Sequence, residues 1–192
     1  MFEKYFSKRI KNTSSSFIRE ILKVTQRPEI ISFAGGLPNP VSFPQEELKI
    51  SMNRIADKYK DKIYQYSTTL GLDSLRQFIA SRYKKIHNMD ITLDNIIITT
   101  GSQQALDLIA KVFLDKNDKV LVEEPSYLGL LQAFSMFEVD FVQTKLNDDG
   151  LDIECLKETV KKHHPKLAYL IPNFQNPTGL TYTKENRQSE FK

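Results

Sequence analysis

Apolar and polar positions fall into two regimes along the chain. The first has a helical period. Ser14 or Ser15 can cap a helix running to about Thr25, with Phe17, Ile18, Ile21 and Leu22 on one face, and Pro28 stops it. Ile30 to Phe33 reads as a short extended piece. It leads into Ala34-Gly35-Gly36-Leu37-Pro38-Asn39-Pro40, whose glycines free the backbone and whose prolines pin it. Pro44 suits the first turn of a second helix. Glu46 and Glu47 favour its positive end, and Leu48, Met52 and Ile55 form its inner face. Tyr64 to Leu70 is a polar connection. A third helical stripe follows: Leu72, Leu75, Phe78, Ile79, Tyr83, Ile86.

Beyond residue 95 the pattern changes to short apolar runs alternating with helical stretches. Strands are predicted at Ile96–Thr99, Lys119–Val122, Asp140–Leu146 and Leu167–Ile171. The intervening helices are one carrying Leu106, Ile109, Val112 and Phe113, a second from Tyr127 to Phe137, and a third from Leu151 to His163. Asn147 to Gly150 is a turn. This β-α-β-α-β-α-β order predicts an α/β fold, with a mostly parallel sheet, helices on both faces and right-handed crossovers.

In such a sheet, loops that follow strands gather at one edge, where ligands bind. Three of them carry chemistry. Thr99-Thr100-Gly101-Ser102-Gln103-Gln104 joins a strand end to a helix start, where free N–H groups and the helix dipole favour a phosphate. It has neither the Walker nor the dinucleotide glycine spacing, and a plain cap by Ser102 is the alternative. Glu123-Glu124-Pro125-Ser126-Tyr127 offers an aromatic face to a flat ligand ring, the alternative being a half-buried packing residue. Pro172-Asn173-Phe174-Gln175-Asn176-Pro177-Thr178-Gly179 cannot continue the sheet and holds the Asn176 amide rigidly. Its Asn176–Pro177 bond is a candidate cis peptide. Convergence of the three favours one ligand pocket.

Composition narrows the classes. With 192 residues, 40% hydrophobic and 27% charged, the chain reads as a folded globular protein. A net charge of +3, with no basic run interleaved with aromatics, argues against nucleic acid. Cys155 is the single cysteine, so no internal disulfide forms. It falls on an apolar position of a predicted helix and reads as a buried, inert thiol. No signal peptide opens the chain and no apolar run reaches membrane-spanning length, so a cytoplasmic location is expected.

Gly101-Ser102-Gln103-Gln104, Glu124-Pro125-Ser126-Tyr127 and Asn176-Pro177-Thr178-Gly179, in that order, resemble fold-type I pyridoxal-phosphate aminotransferases of class I/II. Ser16 to Leu22, Ser32 to Pro38 and Gln65-Tyr66-Ser67 are similar to the 2-aminoadipate/kynurenine aminotransferase II branch. The resemblance runs from about Ser14 to Gly179. It implies the large domain of a pyridoxal-phosphate transferase, here over residues 45–192 after an N-terminal arm and helix at 1–44. It further implies a transaminase passing an amino group between an amino acid and a 2-oxo acid, with 2-aminoadipate, aromatic or branched substrates. Pyridoxal 5′-phosphate is the implied cofactor and a homodimer the implied assembly.

The roles follow residue by residue. Ser102 and Gln103 would hold the phosphate, Tyr127 would stack on the pyridine ring, and Asn176 would donate to its phenolic oxygen. Tyr66 would reach the phosphate in the neighbouring subunit. Gly36 would contact the substrate carboxylate. Arg19 would help select the substrate, although a solvent-exposed helix arginine is the plain alternative. The family's Schiff-base lysine and pyridinium-pairing aspartate come after the Asn-Pro-Thr-Gly loop, and 13 residues separate Gly179 from Lys192 (192 − 179). The chain is therefore expected to be truncated, to lack the small C-terminal domain and the Schiff-base lysine, and to be inactive alone. Lys84, in Ser81-Arg82-Tyr83-Lys84, reads as a solvated surface residue, and Lys192 comes too soon. The alternative is a non-catalytic remnant with residual cofactor or phosphate binding. An effector-binding half of a transcription factor on the same fold would need an N-terminal DNA-binding module, for which residues 1–13 leave no room.

Overall fold

The computed structural model describes residues 2–11, 29–31, 36 and 38–189. The predicted N-terminal helix, with Arg19, and most of the 32–37 loop lie outside these. The chain forms two units: residues 15–98, and residues 99–192 together with 1–14.

After a short helix α1 (Lys8–Lys11), the 15–98 unit contains α2 (Gln45–Tyr59) and α3 (Asp73–His87). Glu46 and Glu47 occupy the first turn of α2, as their charge favours. Asn88 ends α3 in the left-handed region (φ 52°), and its N–H closes on Lys84 C=O at 3.1 Å. The apolar stripes read from sequence are solvent-facing here. Leu48, Met52 and Ile55 of α2, and Leu75, Phe78, Tyr83 and Ile86 of α3, are exposed. What α3 buries is Ala80 and Arg76. The Arg76 guanidinium donates to Ile96 C=O (3.0 Å) and Leu93 C=O (2.5 Å) and pairs with Asp73 (3.0 Å), stapling the 93–96 segment to the helix. Lys84 stands on the surface, paired with Asp90 at 2.8 Å.

The strand predicted at Ile96–Thr99 does not form. Its single rung is Ile98 N–H to Leu70 C=O (2.9 Å), and no described strand lies beside it. β-branched composition supplies the extended shape, but a strand also needs a continuous ladder of partners.

The second unit carries the sheet. In chain order it contains α4 (Gly101–Phe113), β1 (Lys119–Glu124), α5 (Leu128–Ser135), β2 (Asp140–Asn147), β3 (Gly150–Leu151), α6 (Ile153–His163), β4 (Leu167–Tyr169) and α7 (Lys184–Ser189). Strand order is β3-β2-β1-β4. β1 pairs parallel with β2 from Lys119 opposite Asp140 to Glu124 opposite Lys145, and parallel with β4 from Val120 opposite Leu167 to Val122 opposite Tyr169. β1 is therefore central. Val120 to Glu123 are all buried, the continuous burial expected of a parallel strand covered on both faces. β3 is a two-residue antiparallel addition to β2, where the sequence pattern predicts the end of a turn and the start of a helix.

One face of β1 presents Val120 and Val122 to Leu106, Ala110 and Leu114 from the α4 end and to Leu130 and Phe134 of α5. The i, i+4 spacing of Leu106 with Ala110, and of Leu130 with Phe134, makes each helix amphipathic. The bulky residues that marked α4 in the sequence are outside: Ile109, Val112 and Phe113 are exposed, and small Ala110 makes the close approach. The other face of β1 turns Leu121 toward α6. Ile153, Leu156 and Val160 there, with Ala168 and Leu170, line an apolar cavity of about 570 Å³. Asp152 caps α6 by accepting from Cys155 N–H at 2.9 Å, and Cys155 is half-buried. At the far end of the sheet, Lys166 Nζ meets Asp118 at 2.7 Å while Lys166 N–H bonds Lys119 C=O. That contact holds the Asp118 carboxyl below its usual range.

Asn186 of α7 is buried and uses its amide as a strand would. Oδ1 accepts from Leu151 N–H (3.0 Å), and Nδ2 donates to Leu151 C=O (2.8 Å). Gly150, at φ 141°, has no Cβ, and a Cβ there would meet the Asn186 amide. No described helix is long and apolar enough to cross a membrane.

Phe134 is about 1% exposed at the centre of the core. Phe134→Ala is expected to lower unfolding free energy by about 3–5 kcal/mol in a denaturant titration. A loss under about 1 kcal/mol would mean that the α5 packing is not as described.

Candidate functional site

The edge where β1 and β4 end collects the loops singled out in the sequence. β1 ends in Glu123 and Glu124. Alternation turns Glu123 inward and leaves Glu124 exposed. Glu123 is fully buried and is met only by donors. Its Oε1 accepts from Ile171 N–H (2.7 Å) and from the Tyr182 hydroxyl, and its Oε2 accepts from Gln175 Nε2 (2.8 Å). A buried carboxylate needs such partners to remain folded in place.

Gln175, also buried, is the hub of the loop after β4. The same Nε2 donates to Pro125 C=O at 2.8 Å. Its Oε1 accepts from Thr178 N–H (2.9 Å) and the Thr178 hydroxyl (2.7 Å). Its backbone N–H bonds Leu180 C=O, and its C=O accepts from Gly179 N–H. The Asn176–Pro177 peptide inside this turn is cis, as read from sequence, and Glu124–Pro125 is cis as well. Asn176 itself is exposed at the tip. Arg187 of α7 ties down the near side of the loop, donating to Pro172 C=O (2.8 Å) and to Asn173 Oδ1 (2.9 Å).

The first and second loops are joined by another glutamine. Gln103 Nε2, in the first turn of α4, donates to Gly129 C=O at 3.1 Å. Gly129 lies under the Tyr127 ring, so close that a Cβ would stand 2.5 Å from its Cζ and hydroxyl. A side chain at 129 would have to displace that ring. Tyr127 and Tyr169 both pack against the core cluster, Tyr127 half-buried at the start of α5 and Tyr169 on β4 opposite Val122. Ser126 Oγ is buried beside them without a hydrogen-bond partner. Thr100, at the cap position of α4, makes no side-chain bond to the first-turn amides, and Ser102 is exposed.

Ser102, Gln103, Tyr127 and Asn176 thus sit on three loops cross-linked by Gln103–Gly129, Gln175–Pro125 and Gln175–Glu123. Tyr66 is almost fully exposed and Gly36 is exposed. Both belong to the 15–98 unit, while Arg19 lies outside the described residues. Sequence reading passed over Glu123, Gln175 and Tyr182. One signal was available: an acidic residue at an inward-facing position of an apolar strand, where only a paired group persists.

The chain matches known proteins along its length. Residues 42–188 match the family of class I and II aminotransferases. A 2-aminoadipate transaminase of Thermus thermophilus is 45% identical over 174 residues, covering 91% of this chain and 42% of that protein. An aromatic-amino-acid aminotransferase of Thermococcus litoralis is 39% identical over 192 residues, covering 97% and 46% respectively. The crystal structure of a Pyrococcus horikoshii kynurenine aminotransferase, in complex with PMP, KYN as substrates and KYA as products, superposes with a TM-score of 0.87 at 42% identity. That superposition covers 97% of this chain and 47% of the other. The chain spans about half the length of the curated relatives it matches.

Burial first, then the neighbouring Tyr127 and Glu123, push the Tyr169 phenol above the ordinary tyrosine range. A raised value in the folded state favours the neutral form. The stabilisation is therefore complete below about pH 10 and fades as pH climbs through the folded value. Spectrophotometric titration should show one late phenol that is absent in Tyr169→Phe, and alkaline melting curves should fall more steeply for the parent chain. Identical titrations would remove this environment from Tyr169.

Proposed function

The chain belongs to the class I and II aminotransferase family, and on that premise we propose that it is the cofactor-holding part of a transaminase. The reaction moves an amino group between an amino acid and a 2-oxo acid with pyridoxal 5′-phosphate. The observation that carries this reading is the cross-linking of the α4 start to the two loops that follow β1 and β4 at one edge of a parallel sheet, where such folds take ligands.

The residues present fit that cofactor. The α4 end offers first-turn amides left uncapped by the Thr100 side chain, a donor set suited to a phosphate. Ser126 Oγ is a buried hydroxyl still lacking a partner. Tyr127 gives a half-buried aromatic face held by its contact with Gly129. In this reading Ser102 and Gln103 hold the phosphate, Tyr127 stacks on the ring, and Asn176 donates to the ring oxygen. When bound, the cofactor supplies an electron-withdrawing ring that allows an amino acid to lose its α-proton. The protein's own contribution is to fix the plane of that ring and to keep a donor aimed at its oxygen.

The remaining assignments rest on likeness to the family. Tyr66 would serve the phosphate site of a second copy in a homodimer. Gly36 and Arg19 would face the substrate. Relatives named for 2-aminoadipate, aromatic amino acids and kynurenine support an acidic or aromatic amino donor. A cytoplasmic location accords with this chemistry. We assign no covalent role to Lys84, whose ammonium pairs with Asp90 on the surface of α3.

Titration of the chain with pyridoxal phosphate, followed by tyrosine fluorescence, is expected to saturate, and pyridoxal lacking the phosphate is expected to bind more weakly. Equal binding of the two would sink the assignment of the α4 end. Tyr127→Ala should weaken the phosphorylated ligand by about 1–2 kcal/mol, from the worth of aromatic stacking. Unchanged affinity would take the stacking role away from Tyr127.

A further inference from the structure

We propose that Glu123 is a positioning residue for the cofactor, acting through the loop that carries Asn176. The inference rests on the reading above, because it concerns how Asn176 is aimed at the ring oxygen. Glu123 does not reach the site itself. It lies fully buried at the end of the central strand, and the hydrogen bonds of its carboxylate all go toward the loop after β4 and the segment that follows it.

The geometry is specific. Oε1 fixes Ile171 N–H, where the chain leaves the β4 side of the sheet, and the hydroxyl of Tyr182, where the loop returns. Oε2 fixes Gln175, the residue just before Asn176. One carboxylate therefore pins the entry, the turn and the exit of the Asn176 loop. Gln175 passes the constraint on by holding Thr178 with its oxygen and Pro125 with its nitrogen. Asn176 and Pro177 are exposed between these anchors, so what aims the Asn176 side chain is the anchored backbone beneath it. Pro125 is two residues before Tyr127, and the same glutamine thereby sets the loop carrying the stacking ring. This is the supporting arrangement that a precise donor needs.

Charge and donor count make glutamate hard to replace. Three N–H or O–H groups converge on its two oxygens, with no acceptor facing it among the described partners. A glutamine at this position would turn one NH2 group against another donor. An aspartate would be one methylene short of partners reached at 2.7 and 2.8 Å. Tyr182→Phe is the mildest probe, removing one hydroxyl and keeping the buried ring.

The test is a double-mutant cycle on the full chain, with pyridoxal phosphate as the probe. Asn176→Ala, Glu123→Gln and the double variant are titrated, and Tyr182→Phe serves should Glu123→Gln fail to fold. Amide exchange at Gln175, Thr178 and Gly179 is followed without ligand. If Glu123 acts through Asn176, each single change weakens binding about tenfold, as expected for hydrogen bonds involving charge, and the double variant loses clearly less than the product of the two single losses. Exchange in the loop then speeds up while that of β1 and β2 is retained. Losses that multiply in the double variant, or loop exchange that stays at the parent rate in Glu123→Gln or Tyr182→Phe, overturn the positioning role and leave the cofactor reading intact. Failure of the parent chain to bind pyridoxal phosphate overturns the cofactor reading and the positioning role with it.

Discussion

The buried carboxylate of Glu123 is the constraint on which the site depends. Parallel sheets in which both faces are covered have interiors that are costly to any charge, and an ionic group persists there only if it is hydrogen-bonded. In this chain the answering groups all come from one place: the backbone at Ile171, the amide of Gln175 and the phenol of Tyr182. The need to satisfy a charge in the core thereby becomes the reason for a fixed shape at the surface. A loop with two prolines and a glycine could take several courses. Burial of Glu123 selects the one that returns under the sheet edge.

The second constraint is the parallel topology. With β1 between β2 and β4, the segments after β1 and β4 leave neighbouring strands at the same end. Gln103 and Gln175 then need only short reaches to join three loops that lie up to about seventy residues apart in sequence. Packing on the α4/α5 face fixes their depth, since Tyr127 and Tyr169 rest on the same cluster as Val122 and Leu130. Rigidity below and polar groups above is the division of labour expected where a scaffold presents a ligand site on its loops.

Much of this was legible in the residues. Alternation of apolar runs with helical stretches identified the parallel strands at Lys119, Asp140 and Leu167, and the turn chemistry of Asn176-Pro177-Thr178-Gly179 announced a loop at a strand end. Three things were not legible. Ile96–Thr99 has strand composition, but composition does not report whether a neighbour is present. Large apolar residues marked the faces of α2, α3 and α4, whereas the buried positions include Ala80, Ala110 and Arg76, chosen by close approach and by hydrogen bonding rather than by hydrophobicity. Glu123, Gln175 and Tyr182 are joined across more than fifty residues, beyond the range of any periodicity. The apolar cavity beside Leu121 is on the sheet face opposite the Val122 side, away from the edge where the loops meet.

The Asn186 amide has a consequence of another kind. β3 is the outermost strand, and its Leu151 turns both backbone polar groups away from β2 and into that amide. A peptide-like group borrowed from a side chain occupies the row of bonds that an unprotected border would offer to a stranger. At Leu151 the border therefore has no free pair of backbone groups to offer a foreign segment, one of the ways in which sheet edges are kept from pairing with one another.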